Sequence, residues 1–203
     1  MSVKKEASGH RSVEVEVEVP GTPEEVLQAI ASGPGISSWF VPAEMDEIDG
    51  RPVAVRFNFG PGMVRRSRVT AWDPPRTFTV QGEGWGGSPP IATVRNVKAR
   101  AGGGCLVRVV NSLSSSTDDW DQHLPGTAFG WPGFFHNLRI DLTHSRGQRS
   151  AILQLVTPVS GMEAEAWDAL TGAIGLKGLS VGQHWTAPGN HSEPHRDANR
   201  YRL

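Results

Sequence analysis

Valine and glutamate alternate strictly near the start of the chain. Valines occupy every second position from 13 to 19, with glutamates between them, and this period of two predicts a strand with one buried and one solvated face. Pro20 and Gly21 end the strand. Thr22 then has the position of a helix N-cap, because Pro23 and two glutamates follow it in a first turn. A helix is therefore predicted directly after the first strand.

After a Gly-Pro-Gly break at residues 33–35 and a short helical turn, the middle of the chain returns to period two. Clusters of glycine, proline and aspartate separate its apolar runs, which is typical of consecutive antiparallel strands. The predicted strands cover Glu44 to Ile48, Pro52 to Phe59, Met63 to Trp72, Arg76 to Gln81, Ile91 to Ala99 and Cys105 to Leu113. With the first strand they form a predicted sheet of six to seven strands. Cys105 alternates with valines and is interpreted as a small buried side chain.

The period changes again after residue 130. Apolar side chains recur there at helical spacing, which predicts an amphipathic helix from about Trp131 to His144. Pro125 and Pro132 argue against a continuous helix from residue 120, because proline removes a backbone donor. A further strand at 151–156 and a helix at 163–174 are predicted beyond it. The predicted organisation is a domain at residues 12–146, a strand–helix appendage at 150–182 and a disordered tail at 183–203.

Composition and charge exclude several classes of protein. The chain of 203 residues contains 24 glycines and 15 prolines, which disfavours a helical bundle or coiled coil. Its seven tryptophans and seven phenylalanines supply apolar surface for a core that a disordered chain lacks. A net charge of −1 offers no field to recruit nucleic acid or an anionic membrane. The single cysteine, the charged N-terminus and the lack of a long apolar run predict a cytoplasmic protein without a membrane span.

Two motifs are weighed against simpler structural roles. Residues 82–87 match the spacing G-x-G-x-x-G, but Ser88-Pro89-Pro90 follows where a dinucleotide site needs a helix, so a hairpin loop is expected. Metal-ligand residue types cluster near the C-terminus, at His184, His191, Glu193 and His195. These residues lie in the predicted disordered tail without supporting partners, and neither a metal site nor a cofactor is predicted.

Residues suited to acid–base chemistry surround the start of the last long helix. They are Asp118, Asp119, Asp121, His123 and His136. The aspartates are expected to complement the helix dipole. His136 falls off the apolar stripe and is expected at the surface, whereas His123 is placed to reach a cavity mouth. Neither a serine nucleophile motif nor H-E-x-x-H occurs, so no catalytic constellation is identified.

Four stretches of the chain resemble the START-like (SRPBCC) superfamily, specifically its Hsp-90 ATPase activator homologue-like group. They are residues 17–23, ISSWFVP at 36–42, VTAWDPPRTFT at 69–79 and GWPGFFHNLRIDL at 130–142. The resemblance covers residues 12–145 and implies an α+β helix-grip fold of the Bet v 1 type. In that fold an antiparallel sheet wraps around a long C-terminal helix and encloses a cavity.

The resemblance also implies which side chains line the cavity, because ligand sites are mostly apolar with a few polar groups. The apolar residues expected there are Trp39, Phe40, Phe57, Phe59, Trp72, Phe78, Trp85, Trp131, Phe134 and Leu138. The candidate polar groups of the cavity are Arg56, Arg68, Arg95 and His123.

The family's usual role is to hold, or to act on, a small hydrophobic ligand in this cavity. With no catalytic constellation, we expect a protein that binds a small hydrophobic or aromatic molecule. One alternative is an enzyme of the polyketide cyclase/aromatase kind. Another is a co-chaperone-like interaction module, because the strand–helix pair at residues 150–182 cannot bury both its faces alone. That segment is therefore expected to contact the main domain, a second copy or a protein partner.

Overall fold

The computed structural model describes residues 4–6, 9–84, 89–114, 123–148, 160–180 and 182–186, with the backbone alone for 123–129. The strands are β1 (Lys4–Lys5), β2 (His10–Pro20), β3 (Ala43–Ile48), β4 (Arg51–Asn58), β5 (Val64–Asp73), β6 (Thr77–Gly82), β7 (Ala92–Arg100) and β8 (Gly104–Ser114). The helices are α1 (Pro23–Ala31), α2 (Gly33–Ser37), α3 (His123–His144) and α4 (Glu163–Ala173).

The strands form one antiparallel sheet in the order β1-β2-β8-β7-β6-β5-β4-β3. All six strands expected between residues 44 and 113 are confirmed, because their alternation matches the pleat on which one face is buried. The sheet has eight strands rather than six to seven, since the two-residue β1 adds to β2 beside Arg11 and Ser12. The α+β class and the helix-grip architecture are therefore confirmed.

The helical connection after β2 begins as predicted at Thr22. Its hydroxyl accepts from the Glu25 backbone N–H at 3.3 Å, and the Glu25 carboxylate accepts from the Thr22 N–H at 2.8 Å, a reciprocal cap that satisfies two free donors. Ser32 then separates α1 from α2 and caps α2 by accepting from the Gly35 N–H at 3.0 Å. Trp39, which follows α2, is buried in the core.

Helix α3 ends at His144 as predicted, but it begins at His123 rather than near Trp131. Pro125 is the third residue of the helix, where a backbone N–H has no partner inside the helix and its loss costs little. Pro132 lies in the helix interior. The helix continues through it because packing of a buried stripe outweighs one lost hydrogen bond. That stripe consists of Trp131, Phe135, Leu138 and Leu142.

The core lies between α3 and one face of the sheet. We call this the inner face; it carries the alternating buried side chains Val13, Val15, Val107 and Val109. Helix α3 packs against β2, and its buried stripe joins Val15, Val107, Val109 and the apolar side of α1 in one cluster. The opposite, outer face carries the alternating charged side chains.

The chain divides into two compact units, residues 1–156 and 157–203. In the second unit, the helix predicted at 163–174 is confirmed as α4, and Thr171 is buried. The strand expected at 151–156 and most of the tail expected at 183–203 lie outside the described residues. Within the described part of the chain, no helix is long and apolar enough to cross a membrane.

Candidate functional site

Six of the predicted cavity residues meet in one aromatic cluster, with Phe40 at its centre. The ring centroid of Phe40 lies 4.5 Å from that of Phe134, 5.6 Å from Trp39, and 5.9 Å from Phe57, Phe59 and Trp131. Its contact with Phe134 is edge-on, the arrangement that aromatic quadrupoles favour. The cluster joins the segment after α2, the end of β4 and helix α3, because each contributes rings to the same end of the inner face.

The rings of the aromatic cluster pack against one another, and the buried indole N–H of Trp39 has a hydrogen-bond acceptor. The indole Nε1 of Trp39, a residue only 2% exposed, donates to the Ala29 carbonyl oxygen at 3.0 Å. Phe57 and Trp131 are buried as well, and Leu138 of α3 belongs to the same core. At this end of the inner face the side chains fill the space between sheet and helix, whereas a role in lining an open cavity stays a prediction for them.

A second, smaller aromatic pair lies further along the sheet. Trp72 of β5 and Phe78 of β6 face each other in register and meet edge-on, with centroids 5.9 Å apart. The guanidinium carbon of Arg95 lies 5.6 Å from the centroid of Phe78, a cation–π arrangement. Trp72 also borders a cleft of about 300 Å³ between α1 and the β5–β6 turn.

Arg95 of β7 and Asn111 of β8 are the polar side chains that distinguish this part of the inner face. They are 3% and 2% exposed. Nε and Nη1 of Arg95 and Oδ1 of Asn111 are buried, and none of them has a hydrogen-bond partner among the described residues. Asn111 pairs in register with Thr93, two residues before Arg95, so the two side chains are diagonal neighbours on one face. We call Arg95 and Asn111 the polar pair.

Burial determines the electrostatics of the polar pair. Desolvation lowers the pKa of Arg95 to about 10, which leaves the guanidinium positively charged at neutral pH. A buried charge without a partner is costly, and unsatisfied buried polar atoms are rare in folded proteins. The polar pair is thus the place on the inner face where a bound group would supply missing interactions.

The structure separates the four predicted polar residues. Arg56 lies on the outer face, where it forms ion pairs with Glu44 at 2.9 Å and Asp46 at 3.1 Å. Arg68 is also exposed on that face, and Arg95 alone of the three arginines is buried. The side chains of His123 and Trp85 lie outside the described residues.

Sequence reasoning missed Asn111. Its signal was present, because Asn111 continues the inward alternation of Cys105, Val107 and Val109 along β8. A polar residue at an inward position of a buried strand is the pattern that marks a candidate binding group. The same alternation places Arg56 on the outer face, because Val55 and Phe57 on either side of it are buried.

Other residues weighed from the sequence have structural roles. Cys105 is buried as predicted, its thiol lies 3.4 Å from the Gly21 carbonyl oxygen, and burial raises its pKa. His136 is exposed as predicted. His191, Glu193, His195 and the aspartates at 118, 119 and 121 lie outside the described residues. Within the described ranges, no group of three or more His, Cys, Asp or Glu side chains is arranged to hold a metal ion.

A surface groove of about 670 Å³ opens between β2 and α3. Val15 and Phe135 form its apolar floor, and its walls carry charges of both signs, including Glu14 and Arg139. It includes His136 but none of the predicted cavity residues. Its mixed charge favours neither an anionic nor a cationic ligand, so the polar pair is the better-defined candidate site.

Several solved structures of other proteins share this fold. CalU16 from Micromonospora echinospora is 18% identical, with a TM-score of 0.54 over 72% of this chain and 83% of its own. DynU16, from the dynemicin biosynthetic locus, is 18% identical, with a TM-score of 0.54 over 94% of this chain and 72% of its own. Aha1 from Colwellia psychrerythraea, solved as a dimer, is 20% identical, with a TM-score of 0.50 over 67% of this chain and 98% of its own.

These identities show the fold alone, and the family is shown by sequence. A search of curated proteins finds no match. The profile of a family described as polyketide cyclase/dehydrase and lipid transport matches residues 10–136, more than half of the chain. The chain therefore belongs to this family, within the START-like (SRPBCC) superfamily that its sequence resembles.

Proposed function

We propose that the chain binds a small hydrophobic or aromatic molecule between the inner face of its sheet and α3. The family description names polyketide cyclisation, dehydration and lipid transport, activities whose substrates have large apolar parts. The inner face provides valines and aromatic rings for an apolar body. These features favour a binding domain of the START-like kind.

The observation that carries this proposal is the polar pair. Most of the inner face forms an apolar core, yet within the described part of the chain Nε and Nη1 of Arg95 and Oδ1 of Asn111 have no hydrogen-bond partner. A domain that served only as a packed core is more stable with apolar side chains at these positions. Their retention is accounted for by a ligand that completes their hydrogen bonds.

A titration with the neutral fluorescent probe N-phenylnaphthylamine tests this function. We expect saturable one-to-one binding, because the probe gains fluorescence in an apolar site. Thr93→Phe, which fills the inner face beside Asn111, should weaken binding at least about tenfold. Val94→Phe is the matched control, since Val94 is the next residue and faces the outer side. Absence of saturable binding, or equal loss in both variants, contradicts the proposal.

A second role is favoured by the exposed apolar side chains of the second unit. Met162, Trp167 and Leu170 are 68%, 63% and 53% exposed, and exposed clusters of large apolar residues mark association surfaces. Aha1 from Colwellia psychrerythraea, which has a similar fold, was solved as a dimer. We propose that the segment at 150–182, with α4 at its centre, contacts a second copy of this chain.

Light scattering during size exclusion at several protein concentrations tests this association. Wild-type protein should pass from monomer to dimer as its concentration rises. Replacing both Trp167 and Leu170 with Gln should keep it monomeric. Ile48→Gln, which removes a comparably exposed apolar side chain from the first unit, should leave the dimer intact. A wild-type protein that stays monomeric at every concentration excludes this role.

A further inference from the structure

The charge of the polar pair and its surroundings restrict the kind of ligand. In register, Arg95 stands between Phe78 of β6 and Val109 of β8, with Thr93 and Val97 on the same side of its own strand. Among these described neighbours none has a carboxylate. The positive charge of Arg95 therefore lacks a counterion within its strand environment, in contrast to the ion pairs of the outer face.

The unpartnered atoms of Arg95 require acceptors. Guanidinium N–H groups only donate, and hydrogen bonds to an anionic oxygen are the strongest that they form. Because the guanidinium stays charged at neutral pH, an anionic group gains both the hydrogen bonds and the charge neutralisation. A carboxylate is the simplest such group on a small apolar molecule, and its flat shape suits a guanidinium.

The unpartnered atom of Asn111 has the opposite requirement. Its Oδ1 is an acceptor and needs a donor such as a hydroxyl. Diagonal neighbours on one face of a sheet lie about 7–8 Å apart, and their Cβ atoms are somewhat closer. One small molecule can therefore reach both groups, if it carries an anionic oxygen and a hydroxyl at separate positions.

The ring of Phe78 next to the guanidinium, supported edge-on by Trp72, provides a surface for an apolar or aromatic body. We propose that the inner face binds a hydroxylated aromatic carboxylic acid, whose carboxylate contacts Arg95 and whose hydroxyl donates to Oδ1 of Asn111. This inference rests on the proposed binding function and names the chemical class of its ligand.

Displacement of N-phenylnaphthylamine by a matched series of compounds tests the ligand class. The series is para-hydroxycinnamate, its uncharged methyl ester, and cinnamate, which lacks the hydroxyl. We expect para-hydroxycinnamate to displace the probe at a concentration about tenfold or more below that of the ester, because a charge-assisted hydrogen bond is lost in the ester. Cinnamate should fall between the two.

Variants assign these preferences to residues. Arg95→Met should abolish the difference between acid and ester, and Asn111→Leu should abolish the difference between para-hydroxycinnamate and cinnamate. Arg68→Met removes the same charge from the outer face and should keep both differences. Asn111→Asp adds a carboxylate beside Arg95. It should therefore weaken binding of the acid and leave binding of the ester unchanged.

The outcomes separate this inference from the function on which it rests. If the probe binds and the acid and the ester displace it equally, the ligand class is wrong and the binding function stands. If the probe does not bind, both fail. If Arg95→Met does not fold, Arg95→Gln and Asn111→Asp provide the same comparison, and retention of the acid preference in both overturns the inference.

Discussion

Arg95 and Arg108 lie on neighbouring strands, almost level in register, yet on opposite faces of the sheet. On the outer face, Nε and Nη2 of Arg108 both donate to the Glu14 carboxylate. On the inner face, Nε and Nη1 of Arg95 have no hydrogen-bond partner in the described part of the chain. A carboxylate thus accompanies the solvated arginine, where an ion pair contributes little. Among the described residues none accompanies the buried arginine, where pairing matters most. The buried arginine is therefore not explained by the stability of the free protein.

The largest effect on stability is expected for Phe78, which contacts both Arg95 and Trp72 on the inner face. Phe78 is fully buried and its ring lies next to Arg95, so Phe78→Ala should lower the free energy of unfolding by about 3–5 kcal/mol in a urea titration. It should also weaken the preference for acid over ester. Leu138→Ala is the control, because Leu138 of α3 is as buried as Phe78. It should lower the free energy of unfolding by about 2–5 kcal/mol and keep the preference for acid over ester. Equal loss of the preference in both variants removes the special role of Phe78.

An intermediate effect with opposite signs is expected for the two arginines. Arg95→Met should raise the free energy of unfolding by about 1–3 kcal/mol, because it removes a buried charge without a partner. Arg108→Met should lower it by less than about 1 kcal/mol, because its ion pair is partly exposed. Urea unfolding of both variants at neutral pH measures the two values. Destabilisation by Arg95→Met shows that its charge is satisfied within the chain.

The stability difference between Arg95→Met and the wild type should depend on pH. The pKa of Arg95 is about 10 in the folded protein and keeps its higher, ordinary value in the unfolded chain. Above pH 10 the unfolded chain therefore binds more protons, and the stability of the wild type rises with pH. The advantage of Arg95→Met over the wild type should accordingly shrink as the pH increases beyond that value.

The smallest effect is expected for Glu14 on the outer face. Its hydrogen bonds with Arg108 lower its pKa, so its stabilising contribution is present above its unfolded pKa of about 4.3 and is lost as the pH falls through the lowered folded value. Glu14→Gln should cost less than about 1 kcal/mol at neutral pH, because the pair is partly exposed. Thermal unfolding at neutral pH and at about pH 2 should show the two proteins converging in acid. A constant difference would show that packing, and not charge, is responsible.

The strands were predictable because their information is local. Period two places Val107 and Val109 inside and Arg108 outside without knowledge of any partner strand, and the first strand and the Thr22 cap follow from adjacent residues. The start of α3 was not predictable in this way. The cost of Pro125 depends on whether it lies in the first turn or in the interior, and only the folded helix fixes that position.

The polar pair shows a second limit. Arg95 was among the candidates, but so were Arg56 and Arg68, which the structure places on the outer face. Parity along each strand separates Arg56 from its buried neighbours. The proximity of Asn111 to Arg95, in contrast, depends on the register between β7 and β8. The alternation along either strand alone does not specify that register.

The edge of the sheet at β2 has a consequence for how molecules of this protein meet in solution. Among the described residues, β1 pairs only with Arg11 and Ser12, which leaves the backbone groups of β2 from Val13 to Val19 without a second strand neighbour. Such an edge can template aggregation. If two copies paired antiparallel about Glu16, Glu14 of one would lie opposite Glu18 of the other, and Glu16 opposite itself. Like charges directly opposite each other destabilise strand pairing, so the alternating glutamates disfavour the edge-to-edge pairing of two β2 strands.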